Sequence, residues 1–283
     1  MYNKNQKPMT DEEIQRVAPS VFAGQPYQDR SDKYSFVSTA DIITAMRGEG
    51  FFPMSVQVSR CKLDDKRNFA KHMVRFRQLD FNLTNVGDLA LETCIVNSHD
   101  GTSSYIGHCG LIRFACLNGL IVSDALIASF RVRHVGNIVQ SILEANADMV
   151  HRAPQALEVV KLWKTIMLTP EEQNVFAESA HILRFEEGSN AAQLFTPESL
   201  LTVRRYADNG GDLWSTFNRV QENVVRGGKV RVPGSYRPKT IRSVTGIDES
   251  TKLNKALWTL AEKMAELKGD SLARTSQGGG ETE

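Results

Sequence analysis

Between Ser55 and His134 apolar and polar side chains alternate along the chain, and from Ile138 onward apolar residues recur every three or four positions. A period of two belongs to half-buried strands and a period near 3.6 to amphipathic helices, so this change limits the chain to strands followed by helices. Val56 and Val58 alternate with Ser55, Gln57 and Ser59. In the next strand Ala70, His72, Val74 and Phe76 share one face and Lys71, Met73, Arg75 and Arg77 share the other. A third strand is expected near Leu89–Asn97, and a fourth from Ser104 to Ala115 with a bend or bulge at Gly107 or Gly110. The last, about Ile127–His134, sets Arg131 and Arg133 opposite Phe130 and Val132. Asp100-Gly101 and Asn118-Gly119 read as turns between these strands.

Helix signals lie on both sides of the strands. Thr10 and Glu13 have capping-box spacing, and Ser38 or Thr39 can cap a short helix ending at Gly48. After Gly136 the pattern stays helical to about Met167, with a break at Pro154. Thr169-Pro170-Glu171-Glu172 and Thr196-Pro197-Glu198 each place a cap, a first-turn proline and acids together, and a further helix is expected over about Asp212–Val225. The expected fold is α+β: an antiparallel meander of about five strands with a helix before it and a long helical region after it. The expected organisation is a polar segment 1–35, a sheet core 36–135, a helical region 136–225, a basic flexible loop 226–248, an amphipathic helix 249–268 and a disordered tail 269–283.

Composition excludes several classes. No apolar run approaches the roughly 18 residues needed to cross a bilayer, and MYNKNQKPMTDEE offers no apolar stretch for a secretory signal. A cytoplasmic protein without membrane contact is expected. Cys61, Cys94, Cys109 and Cys116 lack the density of a disulfide framework and read as reduced, buried thiols. Cys94, His99, Asp100, His108, Cys109 and Cys116 lie close in sequence, but no Cys-x-x-Cys or His-x-x-x-His spacing offers zinc two ligands from one turn. His99 and Asp100 are expected to order their turn by hydrogen bonds to the backbone. With no P-loop, dinucleotide fingerprint or serine elbow, the chain implies no cofactor and no dedicated active site.

Charge is more informative in its distribution than in its sum. The net charge is only +1, yet eight bases and three acids between Arg47 and Arg77 give +5, and nine bases and three acids between Arg204 and Arg242 give +6. Such asymmetry builds local positive potential on a nearly neutral chain. If the two basic strand faces coincide, Lys71, Arg75, Arg77, Arg131 and Arg133 make a platform for phosphates, and Arg226, Lys229 and Arg231 add a flexible basic clamp. Tyr105, Phe69 and Tyr236 are the aromatics available to stack on bases. The competing reading of the alternation is an antiparallel sheet with one wet face whose Lys and Arg discourage aggregation.

Several strings together resemble a known family. Asn97-Ser98-His99-Asp100-Gly101-Thr102-Ser103-Ser104-Tyr105, then Gly110-Leu111-Ile112-Arg113-Phe114-Ala115-Cys116-Leu117-Asn118-Gly119-Leu120, then Arg131-Val132-Arg133-His134, are similar to the phage/plasmid-like protein family of bacterial mobile elements. Asp65 to Phe76 and Lys252 to Trp258 extend the likeness to roughly residues 35–268. The resemblance implies a setting in prophages and plasmids and supplies no catalytic residue. By analogy of fold alone, a helix, a meander and a long helix with a basic sheet face are similar to the core of phage single-strand annealing proteins of the RecT and Redβ kind. The expected function is ATP-independent binding and annealing of single-stranded DNA by a homo-oligomer. The alternatives are a non-enzymatic protein that meets an acidic host or phage protein, and a metal-dependent nuclease using His99 and Asp100.

Overall fold

A computed structural model describes residues 7–27, 35–61, 64–79, 85–86, 89–114, 118–230 and 236–277. The chain forms two compact units: Met1–Ala156 with Thr245–Asp248, and Leu157–Val244 with Glu249–Glu283.

The first unit is α+β, with helices before and after an antiparallel meander. Its strands are β1 (Phe51–Val58), β2 (His72–Gln78), β3 (Asn85–Val86), β4 (Leu89–Asn97), β5 (Tyr105–Arg113), β6 (Asn118–Ile121) and β7 (Phe130–Val132). The path through the sheet is β1-β2-β4-β5-β6, with β3 pairing beside β4 and β7 beside β5. Helices α1 (Asp11–Val17) and α2 (Thr39–Gly48) precede the sheet and α3 (Ile138–Arg152) follows it. Thr10 and Glu13 close the expected capping box, and Ser38 caps α2. Ile14, Ile42, Ile43, Met46, Ile138 and Ile142 pack from these helices onto Val56, Val74, Phe76 and Ile95 of the sheet.

Three local expectations are corrected here. The fourth strand contains no bulge: β4 and β5 stay in register from Leu89 opposite Arg113 to Val96 opposite Ile106. Its glycines serve close approach instead, since a Cβ on Gly107 would sit 2.1 Å from the ring of Phe130, its partner on β7. Asn118-Gly119 is not a turn but the start of β6. The second face of β2 is not wet, because Met73 packs there with Cys94, Val96, Ile121 and Ile247. Period-two alternation shows that a strand has two different faces; it does not show that one of them meets water.

The second unit is mostly helical. It contains most of α4 (Pro154–Trp163), then α5 (Pro170–Arg184), α6 (Asn190–Leu194), α7 (Pro197–Leu200) and α8 (Leu213–Arg226). A small hairpin, β8 (Gly228–Val230) with β9 (Lys239–Ile241), occupies part of the stretch expected as loop. The last helix, α9 (Ile247–Gln277), runs past Lys268. Residues 278–283 of the expected tail lie outside the described residues. Trp163 anchors this core, with its ring centroid 4.7 Å from that of Trp258 and 5.6 Å from that of Phe217. α8 is buried nearly throughout although about half of it is polar. Several of its polar groups find partners: Gln221 donates to Asn254 at 2.9 Å, and Asn223 donates to the carbonyls of Leu200 and Thr202.

Candidate functional site

The expected basic platform separates into two groups with opposite surroundings. Arg75 and Arg77 are only 8% and 7% exposed. Both face Glu92 on β4: Arg75 Nη1 lies 3.3 Å from one carboxylate oxygen and Arg77 Nη2 lies 2.8 Å from the other. Arg75 also donates to the carbonyl of Leu120, and Arg77 lies over the ring of Phe114. The register explains the trio, because β4 alternates like β2 and puts Glu92 on the arginine face. These two arginines therefore hold strands together and do not present a surface to phosphate. This corrects the platform read from alternation alone. Tyr105 is likewise unavailable for stacking: it is fully buried and its hydroxyl donates to the carbonyl of Val37 at 2.9 Å. Phe69 is half-buried against Tyr27.

Lys71, Arg131 and Arg133 do converge. They line a hollow of about 540 Å³ together with Gly101, Thr102, Ser103, Ser104, Ile106, His134, Val135 and Asp248. The pairing of β5 with β7 sets Ile106 opposite Arg131, and β4 alone separates β5 from β2, just before which Lys71 lies. Arg131 and Arg133 are exposed, and Lys71 is half-buried with its ammonium 2.7 Å from Asp248. One wall is the β4–β5 turn. The Asp100 carboxylate accepts from the Thr102 amide at 3.0 Å and from its hydroxyl at 2.6 Å, and the Ser103 amide donates to Ser98 Oγ at 2.9 Å. Burial raises the Asp100 pKa, but the Thr102 and Ser98 hydrogen bonds and Lys66 outweigh it and hold the group below the usual carboxylate range. Three cations and a hydroxyl-bearing turn around one hollow, against a single acid, make an environment for an anion such as phosphate.

Asp100 orders the turn as expected, but His99 points inward. Its Nε2 lies 3.2 Å from Thr39 Oγ1, which is also 2.9 Å from His72 Nε2 and accepts from Asn97 Nδ2 at 3.1 Å. The other nitrogen of His72 meets Ser20 Oγ at 2.9 Å. A hydroxyl has one proton and two lone pairs. With Asn97 using one lone pair, no more than one of the two imidazoles can present an N–H to Thr39. Burial lowers the pKa of His72 to about 4 and that of His99 to about 3, with His72 and His134 adding to the second shift. Both rings are thus neutral at pH 7. The network is sealed from solvent and sits behind the hollow, which shares His134 with its surroundings.

The remaining expected site residues lie in the second unit. Arg226 is exposed at the end of α8, 3.3 Å from Glu222. Lys229 is on β8, where only its backbone is described, and Arg231 lies outside the described residues. Among the cysteines Cys61 is exposed rather than buried, Cys94 and Cys109 are buried free thiols, and Cys116 lies outside the described residues. Among the described residues no group of three His, Cys, Asp or Glu side chains is placed to hold a metal ion, and no helix is long and apolar enough to cross a membrane. Sequence reasoning missed the Thr102–Ser104 wall and Asp248. The turn was visible as Asp-Gly punctuation, whereas nothing local marks Asp248 as a neighbour of Lys71, 177 positions earlier.

Comparison with known proteins gives the chain its relatives. It is 34% identical over 261 residues to UPF0380 protein YafZ of Escherichia coli (strain K12), covering 92% of this chain and 93% of the relative. It is 33% identical over 261 residues to UPF0380 protein YfjQ of the same organism, with the same coverage. No solved structure matches. A family model, domain of unknown function DUF932, matches residues 26–258, and the chain belongs to that family.

Proposed function

We propose that the protein is a non-enzymatic binder of single-stranded DNA, acting in strand annealing without ATP on a phage or plasmid, with the Lys71–Arg131–Arg133 hollow as a phosphate contact. The observation that carries this reading is the convergence of three cations from separate segments on one hollow walled by Thr102, Ser103 and Ser104. Cations so placed release counterions when they meet a phosphate backbone, and guanidinium groups offer paired N–H donors to its oxygens. Arg75 and Arg77 no longer form part of the proposed surface. The likeness to annealing proteins and the homo-oligomer remain parts of this proposal, and assembly would multiply weak contacts along a strand.

The test is fluorescence anisotropy of a labelled single-stranded oligonucleotide over a series of salt concentrations, with light scattering for oligomeric state and an ATP-free annealing assay. Changing Arg131→Ala together with Arg133→Ala is expected to weaken binding about tenfold or more and to lower the slope of log affinity against log salt by about two. The thermal midpoint is expected to stay within error, because both side chains are exposed. Unchanged affinity sinks the hollow as a phosphate site. Capture of an acidic host protein through the same two arginines, without oligonucleotide affinity, would favour the interaction-protein reading.

A further inference from the structure

A second hollow in the first unit has the opposite character to the cationic one. It measures about 260 Å³ and lies between the end of α3 and the sheet. Strand register builds its floor: Thr93 stands opposite Cys109, and Leu91 lies two positions along β4, so all three side chains point the same way. Helical spacing builds its roof, since Met149, Val150 and the cap residue Ala153 share a face of α3 with Asn146. Threonine, cysteine and alanine are short, so helix and strands meet here without filling the space between them.

Among the described residues no lysine or arginine lines this space. Glu92, on its wall, turns its carboxylate to Arg75 and Arg77, and His151 is exposed. Burial pushes the Cys109 thiol up to about 12, so it stays protonated and is no nucleophile. An ion placed deep in this space would lose water without gaining a partner, which excludes charged ligands. Thr93 and Asn146 are each 2% exposed, and Thr93 Oγ1 donates to Asn146 Oδ1 at 2.8 Å. A hydroxyl that has given its proton can only accept, so Thr93 suits a ligand that carries a donor. Phe51 and Met149 supply an aromatic face and a polarizable sulfur, and both favour contact with a flat ring.

We propose that this cavity binds a small uncharged aromatic molecule with one N–H or O–H, held by donation to Thr93 Oγ1. The volume suits about ten non-hydrogen atoms. The site stands independently of the nucleic-acid reading and of the cationic hollow. The experiment measures, by calorimetry on the full chain, the binding of indole and of N-methylindole, which lacks the N–H. Indole is expected to bind roughly fivefold tighter than N-methylindole, the scale of one hydrogen bond. Thr93→Val is expected to hold the two probes alike. Ala153→Leu puts a larger side chain into the space and is expected to weaken both probes by about tenfold or more, with a thermal midpoint at or above the wild-type value. Circular dichroism confirms that each variant is folded. A wild-type chain that binds neither probe, or holds the two alike, overturns the proposal whether or not the variants fold. Indole binding that Ala153→Leu leaves unchanged places the probe elsewhere and overturns it too.

Discussion

Arg75 and Arg77 lie on the same strand face as Lys71, and all three look equivalent in sequence, yet their surroundings separate them completely. At one end of that face β4 delivers Glu92 between two guanidinium groups, and β6 supplies the Leu120 carbonyl. At the other end β7 delivers Arg131 and Arg133 beside Lys71, with Asp248 as the opposing acid. One group is a buried, ion-paired cross-link and the other an open cationic hollow. The comparison teaches that the partner strand, more than the residue's own strand, decides whether a regularly spaced arginine is structural or available.

The largest expected effect comes from breaking the buried group. Glu92→Gln removes the charge that two nearly buried arginines share, and losing one member of such a set costs about 3–5 kcal/mol. Chemical denaturation is expected to show that loss, and a cost below about 1 kcal/mol would mean that the arginines reach solvent. By the same logic Arg75→Ala with Arg77→Ala is expected to destabilise the fold, so any loss of DNA affinity there must be corrected for the folded fraction.

The histidine network behind the hollow gives the next effect, through pH. His72 and His99 titrate near 6.5 in the unfolded chain and near 4 and 3 in the fold. As pH falls below about 6.5 the unfolded state takes up protons that the folded state refuses. The network's stability is therefore complete above that pH and is lost progressively toward pH 3. A shift of this size is worth on the order of several kcal/mol in total. Unfolding midpoints at pH 7.5 and pH 5 test it: the lower pH is expected to give the lower midpoint, and Thr39→Val should lower stability at both values because it leaves Asn97 and two imidazoles without their shared oxygen.

The smallest effect sharpens the open side of the comparison. Asp248 pairs with Lys71 on the solvent side of the hollow, with its own side chain 76% exposed. Pairs this exposed contribute only about 0.2–1 kcal/mol. Asp248→Asn is expected to strengthen oligonucleotide binding by about two- to fivefold, since the anion no longer displaces a carboxylate. A fall in affinity would show that Asp248 aids the ligand instead of competing with it.

Much of the local architecture was legible. The third strand, Leu89–Asn97, matches the residues of β4, and the caps expected at Thr10, Ser38 and Thr169 are present, whereas Thr196 makes no side-chain cap hydrogen bond. These depend on neighbours within a few positions. The bulge expected at Gly107 or Gly110 and the turn expected at Asn118-Gly119 failed because the glycines answer to strand partners, Gly107 to Phe130 on β7 and Gly119 to Ile112 on β5. The candidate site was legible only in part. Lys71, Arg131 and Arg133 stood among the expected residues, whereas the Thr102–Ser104 wall and Asp248 did not.

What the sequence determined by itself is periodicity, capping and local charge, because each is a relation between residues one to four positions apart. Which charges cancel was decided by tertiary structure alone. Glu92 reaches Arg75 and Arg77 from another strand, Asp248 reaches Lys71 from 177 positions away, and Glu222 gathers Arg205 and Arg226 from two segments. Coulomb interaction depends on distance in space and on burial, and the chain acquires both only when strand register and helix packing are set.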